Sequence, residues 1–92
     1  MEKPAFQIGR VVESRAGRDK GRLLVVIAVL DDDYVHIADG DLRKVASPKR
    51  KKRKHLRPKP QLFEDLEVKL SGNRAILDAE IRARLAGIQK GI

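Results

Sequence analysis

QIGRVVESRAGRDKGRLLVVIAVL, residues 7–30, decides the fold of this chain, because it has the pattern of two strands joined by a loop. Residues 7–14 mix branched apolar side chains with polar ones, which predicts a strand. Residues 16–21, AGRDKG, predict a loop closed by two glycines, which permit the positive φ of a tight connection. Residues 22–30 are almost wholly apolar, which predicts a central strand. Alternation does not identify its inward face, and a bulge near Ala28 would explain this.

The β pattern continues after this hairpin. Residues 31–33, three aspartates, predict a turn. Residues 34–38 alternate cleanly and place Val35 and Ile37 on the buried side of a strand. The Asp-Gly pair at 39–40 is a strong hairpin signal.

Two further strands are predicted before the pattern changes. Residues 42–45 form the returning strand, which ends at Ser47-Pro48 because proline cannot donate to a ladder. A last short strand around residues 54–56 stops at Pro58 and Pro60. About five short strands within some fifty residues must close on themselves to remove their edges. The sequence therefore predicts a mainly β fold, a small SH3-like five-stranded barrel.

The chain divides into two predicted parts. Residues 1–60 form the barrel, including a basic segment at 43–59, and residues 61–92 form a short α-helical appendage. The start of the chain has no apolar export signal, and the apolar run at 23–30 is far shorter than the ~20 residues of a membrane span. With no cysteine, these features predict a cytoplasmic protein.

The appendage has the pattern of two amphipathic helices. Residues 62–70 place apolar side chains on one face of a short helix, and residues 71–73 interrupt it. Asn73 or Asp78 would cap a second helix, and Gly87 suits its C-terminal end. The apolar face of this second helix comprises Leu77, Ile81, Leu85 and Ile88. Such a face packs on the barrel or is partly disordered, and a partner protein is the alternative.

Positive charge is concentrated in one segment. The net charge of the chain is +8, yet residues 61–92 hold five basic and five acidic side chains and sum to zero. Residues 43–59 hold ten basic side chains and no acidic one. A one-sided charge of this size predicts a polyanionic partner.

The run KRKKRKHLRPK, residues 49–59, is the stronger of two binding signals. As a strand it would point about half of its cations inward, and a small apolar core cannot accept them. The segment must therefore lie on a surface or an edge. Nucleic acid is the favoured ligand, and a solvated basic face or a nuclear-import signal is the alternative.

The glycine loop is the second signal. Arg15, Arg18, Lys20 and Arg22 lie on or beside it, and a loop that offers backbone N–H groups and cations can cradle a phosphate. The alternative is a hairpin turn with charged tips. The three aromatic residues of the chain do not form a stacking platform. Binding through phosphates and shape, as suits folded RNA, is therefore predicted.

Catalytic and metal chemistry are not predicted. The sequence has no Ser-His-Asp, Cys-His or paired-carboxylate arrangement, and His36 and His55 lack a ligand cluster with metal spacing. We therefore expect no catalytic residue, no metal, no cofactor and no enzymatic activity.

Several segments resemble a known family. IGRVV (8–12) and AGRDKGR (16–22), followed by a long apolar strand, resemble the KOW motif of ribosomal proteins and transcription-elongation factors. The continuation resembles the 14e class of large-subunit ribosomal proteins, and more closely their small bacterial relatives described as KOW-domain RNA-binding proteins. It does so at VHIADG (35–40), LR (42–43), PK (48–49) and KHL (54–56). Leu24 stands where many KOW proteins have another glycine, which weakens the analogy to elongation factors.

The resemblance implies an SH3-like barrel that binds RNA, usually on the large ribosomal subunit. Gly17 and Gly21 would shape the first loop, and residues 49–55 would form a second contact surface. Together with the charge pattern, this gives the candidate RNA-binding residues: Arg15, Gly17, Arg18, Lys20, Gly21, Arg22, Lys44, Lys49, Arg50, Lys51, Lys52, Arg53, Lys54, His55, Arg57 and Lys59.

Three functional hypotheses follow. The leading one is a ribosome-associated protein that binds structured ribosomal RNA, with a tail that could contact ribosomal proteins or a translation factor. The second is a protein-interaction module that recruits a transcription or translation factor. The third is a DNA-binding architectural protein.

Overall fold

The computed structural model describes residues 5–90; the first four residues, on which the prediction of no export signal partly rests, lie outside this range. Its core is one antiparallel sheet of five strands in the order β4-β3-β2-β1-β5. The mainly β prediction is therefore confirmed. The strands are β1 (Arg10–Ser14), β2 (Leu23–Val29), β3 (Tyr34–Ala38), β4 (Lys49–Lys52) and β5 (Leu56–Leu62), and the helices are α1 (Leu66–Lys69) and α2 (Arg74–Lys90).

Strand β2 lies at the centre of the sheet and is buried on both faces, which is why its sequence does not alternate. Leu24 and Val26 belong to an inner cluster, completed by Val12, Val35, Ile37 and Leu56. Val25 and Ile27 belong to a helix-side cluster on the opposite face, completed by Val11, Ala38, Val45, Leu66, Leu77, Ile81 and Leu85. The pairing of β2 with β3 shifts register between Val26 and Ala28, so the predicted bulge is confirmed.

The strand predicted at residues 42–45 is wrong. Asp39 is buried there, and its Oδ1 accepts hydrogen bonds from the backbone N–H groups of Asp41 and Arg43, both at 2.9 Å. The N–H groups of Asp39 and Gly40 in turn donate to the Arg43 carbonyl oxygen. This side-chain turn uses the donors that a ladder would need, and the returning strand forms only at Lys49.

The predicted end of the last strand is also wrong. Residues 53–55 form a 3-10 turn, and β5 continues from Leu56 through Pro58 and Pro60 to Leu62. Prolines are tolerated because β5 is an end strand that pairs with β1 alone within the described sheet.

Closure of the sheet differs from the prediction. Strands β4 and β5 occupy the two ends of the described sheet, with no ladder between them. The 3-10 turn at Arg53–His55 links them in the chain. The architecture is therefore consistent with a small SH3-like barrel that remains open between its last two strands.

The helical tail packs on the sheet. Asn73 caps α2, since its Oδ1 accepts from the N–H groups of Ala75 and Ile76 at 3.0 and 3.1 Å. Leu77, Ile81 and Leu85 are buried in the helix-side cluster, as its periodicity predicts. The predicted end at Gly87 is wrong, because α2 runs on to Lys90.

Polar contacts fix the position of α2 on the 39–45 connection. Asp78, the other cap candidate, is buried and accepts a hydrogen bond from the Val45 backbone N–H at 2.8 Å. Arg82 Nη1 donates to the Gly40 carbonyl oxygen at 2.7 Å. Residue 40 must lack a side chain, since a Cβ there would overlap the carbonyl oxygen of Asp78. The tail is thus part of the folded core.

An ion-pair network joins α1 to α2. Arg84 donates to both carboxylate oxygens of Asp65, at 2.9 and 2.7 Å, and also to Glu80 at 2.7 Å. Hydrogen bonds from Arg84, and next from Lys69, hold the pKa of Asp65 well below its usual 3.8. A carboxyl whose pKa is depressed by folding stabilises the fold above its unfolded pKa, and this contribution is lost as the pH falls through the folded pKa.

The stabilising effect of Asp65 should therefore depend on pH. We expect the wild type to have a higher Tm than Asp65→Asn at neutral pH, and the gap to shrink as the pH falls from about 5 toward 2. Circular dichroism melts of both proteins across this range would measure it. A gap that stayed constant with pH would contradict the assignment to an ionised carboxylate.

Candidate nucleic-acid interface

The loop between β1 and β2 has the geometry predicted from its glycines. Gly17 and Gly21 have φ of +79° and +88°. The Gly21 N–H donates to the Ser14 carbonyl oxygen at 2.7 Å, which closes the loop at its base. The loop presents exposed candidate residues to solvent: Arg15, Gly17, Arg18, Lys20 and Gly21.

The basic run begins as β4, an end strand of the described sheet, so the predicted edge position is confirmed. Lys49 and Lys51 pair with Ile37 and Val35, which are fully buried in the inner cluster. Side chains directly opposite across a ladder share a face. The two lysines therefore lie on the side of β4 that faces the inner cluster, where a lysine can bury its stem and keep its ammonium group in solvent.

One contact joins the basic run to the glycine loop. Lys51 Nζ donates to the Ala16 carbonyl oxygen at 3.1 Å, and the same Nζ lies 3.4 Å from the position that a Cβ of Gly17 would occupy. The Arg15 N–H donates to the His55 carbonyl oxygen at 2.8 Å. The two segments that carry the binding signals in the sequence thus form one surface.

Most of the candidate cations have no acidic partner among the residues that the structure describes. Within residues 5–90, two of them form salt bridges: Arg22 with Asp39 at 3.1 Å and Lys59 with Glu13 at 3.6 Å. Arg43, which is not a candidate, pairs with Asp19 at 3.2 Å. In that range no residue from 49 to 54 forms an ion pair. The charge of β4 and of the turn after it is therefore available to a ligand.

Arg53 has a structural role in addition to its charge. Its Nη2 donates to the Asp31 carbonyl oxygen at 2.6 Å, and its backbone N–H donates to the Asp33 carbonyl oxygen at 2.8 Å. Its guanidinium carbon lies 5.5 Å from the centre of the Phe6 ring. Arg53 therefore holds the 31–33 turn against the 3-10 turn, while its neighbour Lys54 is exposed.

The remaining candidates do not take part in the hydrogen bond between Lys51 and the loop. Lys44 is exposed in the connection before β4, and Arg57 and Lys59 lie on β5 at the other end of the sheet. His55 is half-buried at the end of the 3-10 turn. Arg22 is directed by its salt bridge toward Asp39, on the side where α2 docks.

Sequence reasoning missed the role of the aromatic residues. The Arg50 guanidinium lies 3.7 Å from the centre of the Tyr34 ring, and Lys52 Nζ lies 5.7 Å from it. The role of Tyr34 depends on the pairing of residues 34–38 with the basic run. The sequence instead predicted that residues 34–38 pair with a strand at 42–45, so this contact was not expected. Tyr34 thus serves as a support for cations, through cation–π contact.

The turn before Tyr34 places the carboxylate of Asp31 near the basic side chains of Arg50 and Arg53. Asp31 Oδ1 accepts from the N–H groups of Asp33 and Tyr34, both at 2.8 Å. These bonds lower the pKa of Asp31, and the nearby charges of Arg50 and Arg53 lower it further. Both backbone bonds go to Oδ1, so the carboxylate orders the turn while its charge remains close to the cations of Arg50 and Arg53.

Other kinds of site find no support in the described residues. They contain no cluster of three or more acidic, histidine or cysteine side chains arranged to hold a metal ion. Nor does any helix in this part of the chain combine the length and apolarity needed to cross a bilayer. The surface built from the loop and β4 is the strongest candidate site.

The chain is similar to a ribosomal protein. Over 57 residues it is 35% identical to large ribosomal subunit protein eL14 from Desulfurococcus amylolyticus. The alignment covers 60% of this chain and 57% of that relative. No family model matches the chain. The similarity agrees with the resemblance to the 14e class noted in the sequence.

Proposed function

We propose that this chain is a KOW-type RNA-binding protein that associates with the large ribosomal subunit by gripping structured ribosomal RNA. It acts in the cytoplasm by binding and carries no catalytic activity. The observation that supports this most directly is the hydrogen bond from Lys51 to the Ala16 carbonyl, which places the basic strand against the glycine loop. The similarity to eL14 supports ribosomal RNA as the ligand.

Binding through phosphates follows from the chemistry of this surface. Its exposed groups are ammonium and guanidinium ions and the backbone of a glycine loop, which suit phosphate oxygens. The rings nearest to it, Tyr34 and Phe6, each have an arginine over one face and form no open stacking platform. The surface therefore favours folded RNA, which presents a dense and ordered array of phosphates.

The alternative of a protein-recruiting tail is weakened by the packing of α2. Three side chains of its apolar face, Leu77, Ile81 and Leu85, are buried against the protein's own sheet. In the part of the tail that the structure describes, the exposed large apolar side chains are Val68 and Ile76. A tail docked in this way has less apolar surface to offer a partner than its sequence suggests.

Sedimentation of native lysate tests the proposal. We expect the protein to comigrate with large subunits at low salt, and to be displaced by added folded ribosomal RNA more effectively than by a single-stranded homopolymer. Retention in high salt would indicate an integral component, and release would indicate an accessory factor, since ~1 M salt screens charges beyond about 3 Å. Absence from ribosomal fractions at low salt would contradict the proposal.

A further inference from the structure

The cations of β4 are divided between the two faces of the sheet. We propose that the two faces bind two separate RNA segments, so that β4 is inserted edge-on between them. This inference rests on the proposed function and specifies its ligand: an RNA junction or a pair of closely packed RNA helices.

The division follows from the register of β4. Successive side chains of a strand point to opposite faces. Lys49 and Lys51 are paired with Ile37 and Val35 of the inner face, whereas Arg50 and Lys52 are paired with His36 and Tyr34. The residues that alternate with Val35 and Ile37 share their face with Ala38, which lies in the helix-side cluster. Two cations therefore belong to each face.

On the inner face, Lys51 contacts the glycine loop. Lys51 reaches the Ala16 carbonyl oxygen at 3.1 Å. The exposed Arg15 and Arg18 extend the same surface along the loop. A phosphate backbone lying here would meet the loop and the inner lysines together.

On the helix-side face, the Tyr34 ring and an adjoining cleft form a second candidate contact surface. The Tyr34 ring supports the Arg50 guanidinium at 3.7 Å, which restricts the side chain while leaving its N–H groups free to donate. A cleft of about 320 Å³ adjoins the ring and is lined by Asp33, Tyr34, Lys52, Arg53 and Lys54. This face is thus concave, with Lys52 and Lys54 at the cleft beside Asp33, while the guanidinium of Arg53 is held by the Asp31 carbonyl oxygen.

Both faces have charge to neutralise. Among the described residues, none of Lys49, Arg50, Lys51 and Lys52 forms an ion pair. The inner cluster itself is buried, so a duplex can reach Lys49 and Lys51 only at the rim beside the glycine loop. The β4 strand then lies between that duplex and the side chains of Arg50 and Lys52. A second RNA segment would satisfy them.

Co-capture of two duplexes tests this inference. A short biotinylated RNA duplex is immobilised, the full chain is added near physiological salt, and a fluorescent duplex of different sequence follows, with the mass of the complex measured by light scattering. We expect one chain to hold two duplexes. The double variants Lys49→Gln/Lys51→Gln and Arg50→Gln/Lys52→Gln remove the same charge from opposite faces, and each should keep one duplex and lose co-capture at least tenfold.

Charge-conserving replacement of one lysine on each face, Lys49→Arg with Lys52→Arg, is the control and should keep co-capture within a few-fold of wild type. Each variant is first checked for the wild-type circular dichroism spectrum. If the wild type binds one duplex tightly and never two, the two-face inference is wrong while RNA binding stands. If the wild type binds no duplex, or binds an acidic polypeptide equally well, the proposed function itself is wrong.

Discussion

Replacing Arg50, Lys51, Lys52 and Lys54 together with glutamine is expected to weaken binding to folded ribosomal RNA by on the order of a hundredfold or more near physiological salt. Each cation that neutralises a phosphate releases condensed counterions, and four lost contacts should flatten the slope of log K against log salt by about 3. Filter binding or fluorescence anisotropy across a salt series measures both quantities. Arg53 is left in place because it holds the 31–33 turn through the Asp31 carbonyl.

Glutamine is chosen because it keeps a donor at position 51 for the Ala16 carbonyl. The matched control exchanges the same four residues for the other basic type, Arg50→Lys with Lys51, Lys52 and Lys54→Arg. It preserves the charge and should bind within a few-fold of wild type with an unchanged slope. Unaltered affinity in the glutamine variant would show that β4 is a solvated face and not a ligand surface.

The second large effect concerns stability. Ile81→Ala is expected to lower the free energy of unfolding by about 3 kcal/mol, within the ~2–5 kcal/mol typical of buried Ile or Leu truncation. Ile81 is fully buried in the helix-side cluster, against the sheet residues Val11 and Val25. For a chain of this size each kcal/mol lowers Tm by about 4–8 °C. Thermal and urea unfolding followed by circular dichroism would show the change.

Ile76→Ala is the control on the same helix. Ile76 is 67% exposed, so its truncation should change stability by no more than about 0.5 kcal/mol. Equal effects of the two substitutions would mean that α2 does not dock on the sheet in solution. Below its lowered Tm, the Ile81→Ala protein should still bind RNA, because the substitution removes no charged group of the loop or β4.

Much of the fold could be predicted because local chemistry and tertiary structure agree. The strand at 34–38, the bulge beside Ala28 and the glycine loop each have a signal within a few residues. The strand predicted at 42–45 failed because the Asp39 side chain bonds the following backbone, and an Asp-Gly pair alone does not distinguish that turn from a two-residue hairpin. The prolines at 58 and 60 led to a prediction that the last strand ends there. A strand can contain proline when it lies at the end of a sheet, and the position of β5 in the sheet cannot be read from its own residues.

The candidate site was predictable in its residue types but not in its geometry. Charge counting identifies the basic run, yet its division between faces depends on which residue of β4 lies opposite Val35, and composition does not contain that register. The salt bridges of Arg22 and Arg43 join segments about twenty residues apart and required the folded chain to be seen. The contact of Tyr34 with the cations of β4 could be recognised only once the pairing of β3 with β4 was known.

The two ends of the open sheet are kept from pairing with other chains by different chemistry. On β5, Pro58 and Pro60 remove backbone donors permanently, whereas β4 relies on the mutual repulsion of its cations. The residues that keep β4 from self-association are the same residues proposed to grip RNA. Solubility and affinity are therefore coupled in this protein, and a substitution that loosens its hold on the ligand also removes a barrier to aggregation.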